Sequence, residues 1–131
     1  MDMAGIMDAL AGATPSAITT RTYAHPVGSL VPPAVVVGYP TDLEYDAVFG
    51  RGADIVTFPV FYVCGMVDDA NARDLVSAVI SGTNEIKAAI EGNATLYTKV
   101  DTARVKSATF QSISIGAVEM IAVRFDVEVY A

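Results

Sequence analysis

Val118-Glu119-Met120-Ile121-Ala122-Val123-Arg124-Phe125-Asp126-Val127-Glu128-Val129-Tyr130 is the stretch that decides the fold. From Ile121 onward the apolar Ile121, Val123, Phe125, Val127 and Val129 alternate with Ala122, Arg124, Asp126, Glu128 and Tyr130. Successive side chains of a strand point to opposite faces. The stretch therefore reads as a half-buried strand with a polar outer face. Residues 104–115 before it also read as a strand, and Gly116-Ala117 joins the two as a hairpin.

Working toward the N-terminus, the period changes. Ala72, Leu75, Val76, Val79 and Ile80 recur at i, i+3, i+4, i+7 and i+8, which marks one face of a helix over residues 69–81. Asp68 or Asp69 serves as its N-cap and Gly82 stops it. Thr83 caps a second short helix carrying Ile86, Ala89 and Ile90, which ends at Gly92. Residues 94–100 read as a short strand or extended piece.

The first half holds another hairpin. In residues 42–49, Leu43, Tyr45, Ala47 and Phe49 point one way, and Asp42, Glu44, Asp46 and Val48 the other. Gly50-Arg51-Gly52-Ala53 is a turn signal, and residues 54–64 form a long β-branched and aromatic strand. Pro59 inside it predicts an edge position or a bulge, because proline cannot donate to a ladder. Before this hairpin, residues 16–40 are rich in proline and small residues. Within them Ala34-Val35-Val36-Val37-Gly38-Tyr39 reads as a short strand buried on both faces. At the start, Ile6, Met7 and Leu10 give residues 4–11 a helical stripe, with Asp2 and Asp8 on the polar side. The fold class is α+β: a mostly antiparallel sheet, two helices packed on one face, a short N-terminal helix and a protruding β-hairpin. The 131 residues make a single domain, 1–131.

Composition bounds the function. Hydrophobic residues are 53% of the chain and charged residues 18%, and mean hydropathy is +0.45. This excludes a disordered chain and leaves apolar surface to be housed. The longest stretch without an acid or base, residues 22–41, contains Pro26, Pro32, Pro33 and Pro40, which break a spanning helix. No membrane role is expected, and the acidic Met1-Asp2-Met3 does not read as a signal peptide. A subunit interface is the better home for the apolar excess. With eight bases against fifteen acids and a net charge of -7, the chain lacks the clustered cations that grip nucleic acid.

Chemistry-bearing residues are few. A Cys–His pair would have to join His25, in a proline-rich loop, to Cys64, in an apolar strand; a loop histidine and a buried thiol explain both. Zinc ligands are too few, and Gly50-Arg51-Gly52 lacks the Lys-Ser/Thr of a phosphate loop. No catalytic, metal or cofactor residues are assigned, and no enzyme activity or cofactor is expected. Asp42, Glu44 and Asp46 share a strand face. That face suits a solvated surface, a hard-cation or small-ligand site, a carboxylate pair, or the anionic wall of a pore that only an oligomer supplies.

The order of elements, together with four stretches, resembles one family. They are Asp69-Ala70-Asn71-Ala72-Arg73-Asp74-Leu75, Ile86-Lys87-Ala88-Ala89-Ile90-Glu91-Gly92, Ala94-Thr95-Leu96, and Ile121 to Val129. The chain resembles the tail terminator proteins (also called tail completion or minor tail proteins) of phages with long, non-contractile tails, those of actinobacterial phages above all. The family often has a glycine pair after Thr-Leu, where this chain has Tyr97-Thr98-Lys99. The resemblance implies a homo-hexameric ring in the virion, at the tail–neck junction, assembled in the host cytoplasm. The ring caps the tail tube, ends its polymerisation and joins it to the head–neck connector or stopper proteins. Genomic DNA passes through its lumen without specific binding. Other neck, head-completion or tail-tube ring proteins are the nearest alternatives. Two expectations attach to this reading. The hairpin tip, with Phe49, Arg51 and Asp54, contacts a neighbouring subunit or the tube, and Asp42, Glu44 and Asp46 face the lumen.

Overall fold

The computed structural model describes residues 2–13, 21–25, 33–44, 54–66, 70–80, 86–115 and 118–130. Helix α1 (Met3–Gly12) leads to strands β1 (Arg21–Tyr23), β2 (Ala34–Val37), β3 (Asp42–Glu44) and β4 (Ile55–Met66). Helices α2 (Ala70–Ile80) and α3 (Ile86–Glu91) follow, then one 3-10 turn at Leu96–Thr98, then β5 (Thr102–Ile115) and β6 (Val118–Tyr130). The six strands form one sheet in the order β1-β2-β4-β6-β5, with β3 also paired to β4. Only β1 and β2 run parallel; every other pair is antiparallel. The chain is an α+β protein, as the change of period along the sequence implies.

From Val123 onward the alternation of β6 works as read, whereas Ala122, expected on the polar outer face, is fully buried in an apolar cluster there and Ile121 is only half-buried. Val123, Phe125, Val127 and Val129 are buried, while Arg124, Asp126, Glu128 and Tyr130 are half-buried on the opposite face. The core side of β6 joins Val56, Phe58, Val60 and Tyr62 of β4 and Val35 and Val37 of β2 in a single cluster. Ile6 and Leu10 of α1, Ala72 and Val79 of α2, and Ile86 and Ile90 of α3 complete it. All three helices thus cover one face of the sheet. Burying a side chain such as Phe58 or Tyr62 contributes roughly 1.5–3 kcal/mol each. The other face, free of described helices, is apolar around Val63, Met120 and Ala122 and polar toward the start of β5.

Local signals set the helix ends. The Asp2 carboxylate accepts a hydrogen bond from the Gly5 N–H at 3.0 Å and caps α1. That bond, foremost, with Lys99 3.5 Å away, holds the Asp2 carboxyl below its ordinary range, although desolvation opposes the shift. The caps expected at Asp68, Asp69, Gly82 and Thr83 lie outside the described residues.

Several expectations need correction. Pro59 lies neither on an edge strand nor at a bulge, because β4 is central, with β2 and β3 on one side and β6 on the other. The Gly38 N–H donates to the Pro59 carbonyl at 2.8 Å, so the missing N–H of Pro59 faces the same side. There β2 has ended at Val37 and β3 begins only at Asp42, so the bond that Pro59 cannot make falls in the gap between the two strands. The bulge in β4 falls later, between Val63 and Gly65, and a second one in β5 lies between Val105 and Ser107. Residues 94–100 are not a strand: Asn93 accepts from the Leu96 N–H and the chain turns as a 3-10 helix. The buried strand at Ala34 stops at Val37, and Tyr39 is 61% exposed. Ile80, assigned to the buried face of α2, is 40% exposed.

Candidate interaction surface

Among the described residues no three His, Cys, Asp or Glu side chains come together as a metal site. Cys64 is 3% exposed within the core cluster, and burial pushes its thiol up to about 12. A protonated, enclosed thiol is neither a nucleophile nor a metal ligand near neutral pH. Burial likewise pushes the neighbouring Tyr62 hydroxyl well above its ordinary range. His25 is exposed and lies beside α1, with Met3, Met7 and Tyr39 around the same shallow concavity. Neither Cys64 nor any other described acid or thiol lines that hollow except Asp8.

The chemistry of this chain lies instead on its sheet. On the helix-free face, Arg104 and Lys106 flank Glu128 at 3.5 and 3.8 Å, and the Tyr130 hydroxyl donates to Glu128 at 2.6 Å. Beside them Arg124 pairs with Asp126 at 3.3 Å, and Ser107 donates to Asp126 at 3.1 Å. The Arg124 Nε is buried without a hydrogen-bond partner, close to Asp126 but poorly aligned with it. Asp42 is exposed on this face. With Thr41, Thr57, Lys106, Arg124 and Asp126 it lines a shallow polar hollow of about 310 Å3. The surroundings of Asp42 therefore carry both signs of charge. Glu44 ends β3 level with Ile55, Asp54 is half-buried just before β4, and Asp46, Phe49 and Arg51 lie outside the described residues.

A second feature is the edge of β5, which sequence reading did not single out. The Val105 N–H donates to the Glu91 carboxylate at 2.9 Å, and Lys87 Nζ donates to the same carboxylate and reaches the Val105 carbonyl at 3.5 Å. The Tyr97 hydroxyl donates to the Glu91 carbonyl at 2.7 Å and lies 3.5 Å from the Ala103 carbonyl. Side chains from α3 and the 3-10 turn thus occupy the outward backbone groups of β5 before its bulge. The only sequence signal was the i,i+4 pair Lys87 and Glu91, which fits a solvated helix face equally well.

Large apolar side chains are exposed toward both edges of the sheet. Phe110 on β5 is 55% exposed and lies on the helix-covered face, as does Ile80 at the end of α2. On the opposite side Tyr39, Leu43 (38% exposed) and Met3 are exposed. No protein-family model matches the chain, and no curated protein matches it. No described helix is long and apolar enough to cross a membrane.

Proposed function

We propose that this chain is a structural ring protein of a phage virion. It caps the tail tube, ends its polymerisation and joins it to the neck, with DNA passing through the lumen. The observation that carries the reading is that large apolar side chains stay exposed toward opposite edges of one sheet, Phe110 and Ile80 toward β5 and Tyr39, Leu43 and Met3 toward β1 and β3. Two unlike surfaces on one subunit suit a heterologous contact, which gives a ring where its rotation closes. The resemblance of the α2, α3 and β6 sequences to tail terminators supplies the biological setting.

In this reading the helix-free face, with Asp42 and Glu44, lines the lumen. A net charge of -7 keeps the ring from holding the DNA that must slide past it. The hairpin beginning at β3 reaches the neighbouring subunit or the tube through Phe49, Arg51 and Asp54. The deciding experiment is native mass by light scattering, with and without purified tail tubes, followed by electron microscopy of tube ends. A hexamer, or a monomer that assembles only on tube ends, is the expected result. A stable monomer or dimer that ignores tubes would refute the proposal and redirect attention to ligand binding at the hollow beside Asp42.

A further inference from the structure

Among the described residues the sheet has two open edges, and each is open in a different way. On one side β5 pairs, among these residues, with β6 alone. Its first part is covered by Lys87, Glu91 and Tyr97. Beyond the bulge, residues 107–110 are all exposed, and the stretch 107–115 carries no charge. Edge strands are normally blunted by charges, prolines or bulges. Here the blunting stops where the bare stretch begins.

The opposite edge is stepped. Strands β2 and β3 pair with successive parts of β4, and β1 adds outside β2 alone. So β1 projects one strand, about 4.8 Å, beyond β3.

The pairing registers tie the two edges together. Thr22, Val35, Tyr62, Val123 and Phe110 form one row across the sheet. Its three inner members are fully buried under the helices, while both ends, Thr22 and Phe110, are exposed. Asp42, Thr57, Glu128 and Arg104 form a second row, on the helix-free face. The projecting β1 is therefore level with the bare part of β5. The recessed β3 is level with the part of β5 that side chains already cover.

We infer that the bare edge of β5 receives β1 of a second copy of this chain, head to tail, so that the sheet runs on from subunit to subunit. Strand β1 is antiparallel to β5 within the sheet, and a rotation about an axis along the strands preserves that direction. One register satisfies the whole contact. Phe110 comes beside Thr22 of the next copy, near the hollow of about 220 Å3 lined by Met3, Met7, Ala24 and Tyr39. Arg104 comes across the step from the exposed Asp42 of that copy, opposite in charge and within reach of a long side chain. The covered part of β5 fills the step at β3. Both halves of the contact differ, so it propagates from copy to copy rather than ending at a pair, and gives a ring where its rotation closes. The inference rests on the ring proposed above but not on what the ring caps.

The test uses the full chain carrying Thr22→Cys and Phe110→Cys. Directly opposed antiparallel residues lie within disulfide reach, about 4.5–5.5 Å between Cα atoms. Cys64 is buried and does not compete. Mild oxidation of the assembled protein is expected to give a ladder of linked copies that collapses on reduction, with neither single variant giving it. Phe110→Glu is expected to weaken self-association at least tenfold with an unchanged thermal melt of the subunit. Dimers from Phe110→Cys alone would mean two-fold pairing of β5 and would overturn the inference. Rings on tube ends that form normally with Phe110→Glu and give no ladder would overturn it while leaving the proposed function standing. A ladder in a protein that ignores tubes would support it and remove tube capping. Absence of any self-association would overturn both.

Discussion

Replacing Glu91 by alanine tests how the edge of β5 is held. The Glu91 carboxylate accepts from the Val105 N–H at 2.9 Å and from Lys87, and its side chain is 30% exposed. A hydrogen bond to a charged group is worth about 1.5–3 kcal/mol when well enclosed. A partly exposed ion pair adds less than about 1 kcal/mol. The partial exposure of Glu91 discounts both contributions and places Glu91→Ala at a loss of about 1–2 kcal/mol. Each kcal/mol lowers the melting midpoint of a domain this size by roughly 3–5 °C. Glu91→Gln keeps an acceptor for Val105 and should lose less.

The pH dependence separates charge from packing in this position. Burial alone raises the Glu91 carboxyl, but the hydrogen bonds from Lys87 and the Val105 N–H outweigh it and hold the group below its ordinary value of 4.5. A depressed folded value means the stabilisation is present in full above the unfolded value and is lost as pH falls through the folded one. Urea unfolding at pH 7 and at pH 3 should therefore show the gap between wild type and Glu91→Gln narrowing in acid. A gap that stays constant with pH, or a Glu91→Ala variant as stable as wild type, would refute the argument that Glu91 fastens α3 to β5.

Three further outcomes are expected. Phe58→Ala empties a fully buried position in the centre of the sheet, and chemical denaturation should show a loss of about 3–5 kcal/mol. Gly38→Ala places a Cβ 2.8 Å from Pro59 Cγ at the point where β2 leaves β4, and should cost about 1–3 kcal/mol by the same assay. Cys64 should resist a thiol reagent at pH 8 in the native state and react within seconds of unfolding in urea, since its thiol titrates near 12 and is 3% exposed.

Local patterns carried much of this fold. The alternation from Val123 to Tyr130, the stripe from Ala72 to Val79, and Ile86 with Ile90 each name their buried faces, because period and polarity are properties of neighbouring residues. They fix an α+β protein with a helix-covered antiparallel sheet.

Partner choice between distant segments is not written locally. Pro59 reads as an edge residue, yet sits in the central strand, because its missing donor falls in the gap between Val37 and Asp42. Strand β1 is three residues long and pairs in parallel with β2, which nothing in Arg21-Thr22-Tyr23 announces. The first part of β5 carries Arg104 and Lys106 and the rest carries no charge, but nothing local says which part is covered. The two parts differ because α3 and the 3-10 turn deliver Lys87, Glu91 and Tyr97 to one of them. The sequence by itself determined the buried faces of the long periodic elements, β6, α2 and α3, because their pattern is local. Only the tertiary structure decided the order of the strands, and with it which edges stay open, since an edge is defined by the partner a strand does not have.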